Sequence, residues 1–210
     1  MCSVNWAIVR KPQNDHYLGL VALNNKIRVR HSCEADIDRY SNLISDLLSS
    51  FGIPPDYGRI HKLPLQLEAG KLKSIGNDIY ERGQEMLPEA ADAWLAMKNE
   101  ASKQGVELQP VSAFRSVEYQ SGILRRKLDK GMNINKILEA SAAPGYSEHH
   151  SGRALDITTP GYAVLEEEFE HSLAFEWLCE HAPGFGFSLS FPRDNPHGVV
   201  YEPWHWAWQG

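Results

Sequence analysis

The segment Ser147-Glu148-His149-His150-Ser151-Gly152-Arg153-Ala154-Leu155-Asp156 sets the tightest constraint on how this chain folds. It places two histidines and an aspartate around a glycine, where a loop opened by the breaker Ala143-Pro144-Gly145 enters the strand-like run Ala154–Thr158. A second dense segment, Glu202-Pro203-Trp204-His205-Trp206, adds an imidazole and a carboxylate near the C-terminal end. A fold that gives these groups a common use must bring the two segments together.

Metal chemistry is the natural use. Catalytic zinc typically takes three nitrogen or oxygen ligands from the protein and keeps a further position for water. His149, Asp156 and His205 fill that set, with one Zn2+ as the expected cofactor. Glu202, just before His205, is the expected general base. On a regular strand Glu202 and His205 would face opposite sides, so Pro203 is expected to bend the chain. His150 is left out of the ligands, because a strand neighbour of a ligand points away. His31, Cys33 and His61 lack a third partner at ligand spacing. Cys2, Cys33 and Cys179 are scattered, odd in number and without C-x-x-C spacing, which points to three reduced, idle thiols.

The rest of the chain supplies a scaffold. With 210 residues, 42% hydrophobic and 23% charged, one well-buried core is expected, and disordered or collagen-like classes drop away. No run approaches the ~20 apolar residues of a membrane span. The polar start, Met1 to His16, does not read as a secretory signal, so the chain as written is expected in the cytoplasm, with a periplasmic or envelope site only if a leader is missing. A net charge of −6 without a basic block beyond Arg125-Arg126-Lys127, taken as a solvated helix face, argues against a nucleic-acid partner. Nothing in the sequence fixes an oligomeric state.

Periodicity predicts a hairpin over Tyr17–His31 and helices over Asp36–Phe51, Pro88–Gln104, Ser116–Leu128, Ile134–Ala140 and Ser172–His181. The second helix is expected to bury Leu87, Ala91, Trp94, Leu95 and Ala101. Strands are expected over Val106–Phe114, Ala154–Thr158, Phe187–Phe191 and Val199–Trp208, the last interrupted at Pro203. The sum is α+β, a central antiparallel sheet with flanking helices. Residues 1–85 read as an accessory hairpin-plus-helix section packed on the same domain, and residues 86–210 as the catalytic domain.

Ser147, His149, Gly152, Ala154 and Asp156 resemble the S-x-H-x-x-G-x-A-x-D motif of the LAS zinc peptidases (lysostaphin, D-Ala-D-Ala carboxypeptidase, hedgehog). Glu202-Pro203-Trp204-His205 is similar to that group's second motif. Ser112-Ala113-Phe114-Arg115-Ser116 followed by Gln120 resembles an element of the VanY-type D-alanyl-D-alanine carboxypeptidases. The resemblance runs from about Ala90 to the C-terminus, with the three motifs in order. It implies the hedgehog/D-Ala-D-Ala-peptidase-like fold, with zinc on His149, Asp156 and His205 and Glu202 as base and then acid. Arg115, which alone would read as a helix-end or surface arginine, would stabilise the oxyanion. Ser147, Gln120 and Trp206 would join Arg115 in binding substrate, and Arg153 is expected to add positive potential near the substrate carboxylate. The implied substrate is a peptidoglycan-derived peptide ending in D-Ala-D-Ala. L,D-carboxypeptidase, D,D-dipeptidase, endopeptidase and a non-catalytic zinc-stabilised binding module are the alternatives. One departure is Ser190 before Phe191-Pro192, where many VanY-like chains carry arginine.

Overall fold

The computed structural model describes the backbone of residues 23–210, with side chains from residue 36 onward. The chain divides into two compact units, Met1–Ser45 and Asp46–Gly210, and the candidate site lies wholly in the second. Helix α1, Leu23–Ser50, contains most of the helix expected there. The expected hairpin fares differently. Its residues 17–22 lie outside the described residues, and Leu23–His31 is helical. An isolated two-stranded ribbon is marginal in water.

In the second unit a short helix α2, Tyr57–Ile60, is followed by an antiparallel ribbon of β1, Lys73–Asn77, and β2, Gly83–Met86. No strand was expected here, because only Ile75 and Met86 of its residues are buried and the polar remainder shows no alternation. Its turn is organised by Asp78. One carboxylate oxygen accepts from the Tyr80 and Arg82 amides, the other from Arg82 Nε (2.7 Å) and Gln84 Nε2 (2.9 Å). Burial works to raise the Asp78 pKa, but these hydrogen bonds hold it below the usual carboxylate value. Gln84 Oε1 then accepts from the Ala113 amide, which ties the ribbon to the strand that follows.

Helix α3, Pro88–Lys103, starts with proline in its first turn and buries Ala90, Ala91, Trp94, Met97 and Ala101. Met97 thus takes the place expected for Leu95, which is 39% exposed, since the 3.6-residue period carries the stripe from Trp94 to Met97. Strand β3, Gln109–Ser112, leads into α4, Val117–Asp129, whose first turn is capped by Ser116 Oγ accepting from the Tyr119 amide at 3.0 Å. Asn133 and Ser172 cap α5, Ile134–Glu139, and α6, Leu173–His181, in the same way. Between these helices lies β4, Ala154–Thr158; β5, Phe187–Leu189, and β6, His205–Trp208, complete the sheet.

The four strands run antiparallel in the order β3-β4-β6-β5, so the α+β expectation holds. All five residues of β4 are buried, and its two faces do different work. Leu155 and Ile157 turn into the core with Trp94, Phe187 and Trp206. Asp156 points the other way, and its register partner is His205, while Leu155 pairs with Trp206. Alternation therefore puts the two polar groups together on one face and the two apolar ones on the other. Strand β6 is shorter than expected because Glu202–Trp204 forms a turn closed by the His205 amide on the Glu202 carbonyl, 3.1 Å. Cys179 is disulfide-bonded, a correction to the reading of idle thiols, since spacing along the chain does not limit which cysteines meet. Among the described residues no helix is long and apolar enough to cross a membrane.

Candidate active site

The loop before β4 closes in a 3-10 turn, Glu148–Ser151, that ends at Gly152 in the left-handed region (φ 68°). A Cβ at Gly152 would meet the Leu87 amide nitrogen at 2.8 Å, and that amide donates to the Gly152 carbonyl. The glycine of the motif is therefore fixed by both backbone conformation and close approach. The turn aims His149 back over the sheet toward Asp156 on β4 and His205 at the start of β6.

His149, Asp156 and His205 are all buried, and each offers a ligand atom within 4.8 Å of the others. His149 Nδ1–H donates to the Ala113 carbonyl at 2.6 Å, which leaves a lone pair on Nε2. That Nε2 lies 3.3 Å from Asp156 Oδ2 yet is buried without a hydrogen bond. Two acceptors facing each other across a buried gap fit a cation between them. Burial, then Arg115, pushes the His149 pKa down to about 4, so the ring is neutral as ligation demands.

His205 is gripped from both sides. Its Nδ1 donates to Asp156 Oδ1 at 3.0 Å and its Nε2 to Glu148 Oε2 at 2.9 Å. Burial opposes the charged ring, but the two carboxylates hold its pKa up at about 10. Burial likewise opposes ionisation of Asp156, and His149 and His205 reverse this, keeping it far below the usual range. The proton on Nδ1 occupies the position a metal ion would take, while the Nε2–H to Glu148 orients the ring as metal-binding histidines are commonly oriented. Glu202 Oε2 stands 3.9 Å from His205 Nδ1, outside that set. Burial pushes its pKa up to about 7, with His205 working against the rise and Asp156 adding to it. A carboxyl poised there can both take and return a proton near neutrality.

Arg115, between β3 and α4, sends Nη2 to 3.7 Å from Asp156 Oδ2 and donates from Nη1 to Gln120 Oε1 at 3.3 Å. Its side chain is only 19% exposed, so the surface reading does not hold. Ser147 and Gln120 line the same pocket. Gln120 is engaged at both ends, since its Nε2 donates to the Ala142 carbonyl at 2.8 Å, and it acts as a brace for Arg115. Trp206 is not in the pocket. It is 2% exposed in the core, with Nε1 donating to the Pro203 carbonyl, because it follows His205 on a strand and so faces the other side. Arg153 is absent from the pocket too. It stands over the Trp208 ring at 5.2 Å, and its odd offset from Asp156 puts it on the opposite face.

The sequence reading missed Glu148, while His150 was expected at the surface or in a supporting role rather than as a ligand. Both sit on the 3-10 turn rather than on a strand, so neighbours splay around an axis. His150 Nδ1 donates to the Arg115 carbonyl at 2.6 Å and Nε2 accepts from the Gly145 amide, so it fixes the backbone beneath Arg115. An acid directly before a candidate ligand was the available signal for Glu148.

A mixed α/β fold whose antiparallel sheet offers a buried His-Asp-His group beside a carboxylate and an arginine is the layout of the hedgehog-like LAS peptidases. A family model, VanY, D-alanyl-D-alanine carboxypeptidase, matches residues 83–210, and the chain belongs to this family. YodJ of Bacillus subtilis, which carries a carboxypeptidase name, is 37% identical over 127 residues, 58% of this chain and 45% of that protein. The chain thus spans less than half the length of that relative. Among solved structures, the LdcB LD-carboxypeptidase matches with a TM-score of 0.62 at 32% identity, covering 70% of this chain and 72% of the other. A glutamate-to-alanine variant of the vancomycin-resistance D,D-pentapeptidase VanY in complex with Zn(II) matches with a TM-score of 0.54 at 26% identity, covering 70% and 83%.

Proposed function

We propose that this chain is a zinc-dependent D-alanyl-D-alanine carboxypeptidase that hydrolyses the terminal amide of peptidoglycan stem peptides. The carrying observation is the buried His149 Nε2, which has no hydrogen-bond partner and faces Asp156 at 3.3 Å, with the Glu202 carboxyl 3.9 Å from His205 Nδ1. His149 Nε2, an Asp156 oxygen and His205 Nδ1 are the ligands of one Zn2+. When bound, that ion supplies Lewis acidity toward water and the scissile carbonyl. Glu202 takes the proton from the attacking water and returns it to the leaving amine. Arg115, braced by Gln120, offers a fixed positive charge to the oxyanion. Ser147 offers a hydroxyl to the substrate in the same pocket.

The test is a zinc-quantified assay on acyl-L-Lys-D-Ala-D-Ala and its L,D counterpart. Release of D-Ala from the first by the unmodified protein is expected. Release from the L,D peptide alone would favour the second reading, L,D-carboxypeptidase, which the similarity to LdcB supports. Zinc bound without release from either would leave a binding module.

Glu148 provides a further check on the ligand assignment. Carboxylates that orient a metal-bound histidine typically govern metal affinity by about 10–100-fold. Glu148→Ala is expected to weaken zinc binding by that factor in a competition titration with a chelator. Glu148→Gln, which keeps an acceptor for His205 Nε2, is expected to lose less. Unchanged affinity in the alanine variant would mean that His205 is not held through Glu148.

A further inference from the structure

Arg115 lines two cavities, the catalytic pocket and a larger one of about 330 Å³. The walls of the larger cavity are Arg82 with the first residues of β2 and, where β3 passes into α4, Ser112, Phe114 and Tyr119. The two cavities differ in charge. The catalytic pocket sets the carboxylates Glu148 and Glu202 against the Arg115 guanidinium. The larger cavity sets two guanidinium groups, Arg82 and Arg115, against one exposed carboxylate, Glu85. Arg82 is fixed in place there. Its Nε donates to Asp78 Oδ2 at 2.7 Å, its Nη2 lies 2.7 Å from the same oxygen, and Nη2 also donates to the Val111 carbonyl at 3.2 Å. The Tyr80 ring lies against the guanidinium at 4.9 Å. The Asp78 side chain is fully buried, whereas that of Arg82 is 52% exposed, and Nη1 makes no hydrogen bond among the described residues.

A guanidinium held along one edge and open on the other is pre-organised for an anion, because little rotamer freedom is left to lose when the ligand arrives. The position of the cavity says which anion can reach it. A peptide cut at Arg115 is divided there into a leaving residue and an acyl part. The catalytic pocket is small, about 40 Å³, so a peptide of several residues extends into the larger space that shares Arg115. Each residue advances the chain by about 3.3–3.6 Å, so one or two of them traverse a cavity of this size. We propose that this cavity receives the acyl part of the substrate and that Arg82 reads a carboxylate branching from it, one or two residues before the D-Ala-D-Ala end. The inference rests on the carboxypeptidase reading. It makes Arg82 a specificity residue, held by Asp78 and by the β1–β2 ribbon, whose polar turn then has a use beyond its own folding.

The competing account is that Arg82 only neutralises the buried Asp78. A ratio of affinities separates the two, since a structural defect weakens every peptide alike. Calorimetry on zinc-loaded protein silenced by Glu202→Gln would take acyl-γ-D-Gln-L-Lys-D-Ala-D-Ala as the reference, because its acyl part carries no carboxylate. One comparison peptide replaces γ-D-Gln with γ-D-Glu, and the other replaces L-Lys with meso-diaminopimelate; each adds one carboxylate. At least one of them is expected to bind about five- to thirtyfold more tightly than the reference, between the worth of an exposed ion pair and that of a charged hydrogen bond. Whichever does so locates the branch. Arg82→Met should bring the ratio to within about twofold of one, and Arg82→Lys should keep part of it. If Arg82→Met does not fold with the Asp78 charge stranded, the double variant Asp78→Asn/Arg82→Met removes both partners and should show the same collapse. A ratio near one for both peptides with Arg82 intact, or one that survives loss of the guanidinium, overturns the proposal. D-Ala release by the unmodified protein is followed in parallel. Release without preference for either acidic peptide sinks the role of Arg82 and leaves the carboxypeptidase reading standing, and preference without release does the reverse.

Discussion

Glu202→Gln is expected to lower kcat on acyl-L-Lys-D-Ala-D-Ala by about 10²–10⁴-fold, while zinc content and KM stay within about twofold. The substitution keeps the volume and most hydrogen-bonding capacity of the side chain and removes only its ability to carry a proton. The loss corresponds to about 3–5 kcal/mol of barrier, the scale expected when a positioned general base is removed. Zinc is retained because Glu202 stands 3.9 Å from His205 Nδ1 and outside the His149, Asp156 and His205 group. Stability provides a control with a definite sign. Burial raises the Glu202 pKa to about 7, so the fold resists its ionisation, and stability is lost as pH rises from the unfolded pKa through that value. The metal-stripped glutamine variant is therefore expected to be at least as stable as the parent at pH 8 in chemical denaturation. Turnover that survives in the glutamine variant would assign the base elsewhere; loss of zinc would make Glu202 a ligand.

The contrast between Glu202 and its surroundings also explains what the sequence alone could reveal. His149, Asp156 and His205 were legible because metal ligation demands particular side chains at particular spacings, and the strand alternation around Asp156 is simple. The bend at Pro203 was legible for the same reason, as a geometric demand of the chemistry. Trp206 was misread as a possible wall although the same alternation, applied from His205, turns it into the core. Glu148 was harder. It lies on a 3-10 turn and reaches the site through a partner distant in sequence, His205. That contact has no local signature. The ribbon of β1 and β2 escaped for another reason. It is held by the Asp78 hydrogen bonds and by Gln84 reaching Ala113, polar contacts that leave no hydrophobic period to detect.

Asp156 is where structure and chemistry depend most on one side chain, and Asp156→Asn is expected to abolish stoichiometric zinc binding at micromolar metal. Its carboxylate lies on the central part of the sheet, paired in register with Ser112 on one side and His205 on the other. It faces two positive groups, His205 and Arg115, and the lone pair of His149 Nε2. The asparagine keeps the shape but removes the charge, so the ion would lose one of its three anchors and the only anionic one. That is a larger perturbation than the removal of an orienting carboxylate such as Glu148, whose typical cost is about 10–100-fold. The metal-stripped fold should suffer as well. Taking away one partner of a buried ionic cluster leaves the others uncompensated, typically at ~3–5 kcal/mol, and here the stranded groups are the Arg115 guanidinium and the His205 imidazolium. Chemical denaturation of the stripped asparagine variant should therefore show a loss of that size near neutral pH, with no cavity to blame. Asp156→Ala should lose more, since it adds a void in a fully buried strand. If the asparagine variant instead binds zinc like the parent, Asp156 is not a ligand and the metal must sit between the histidines and Glu202.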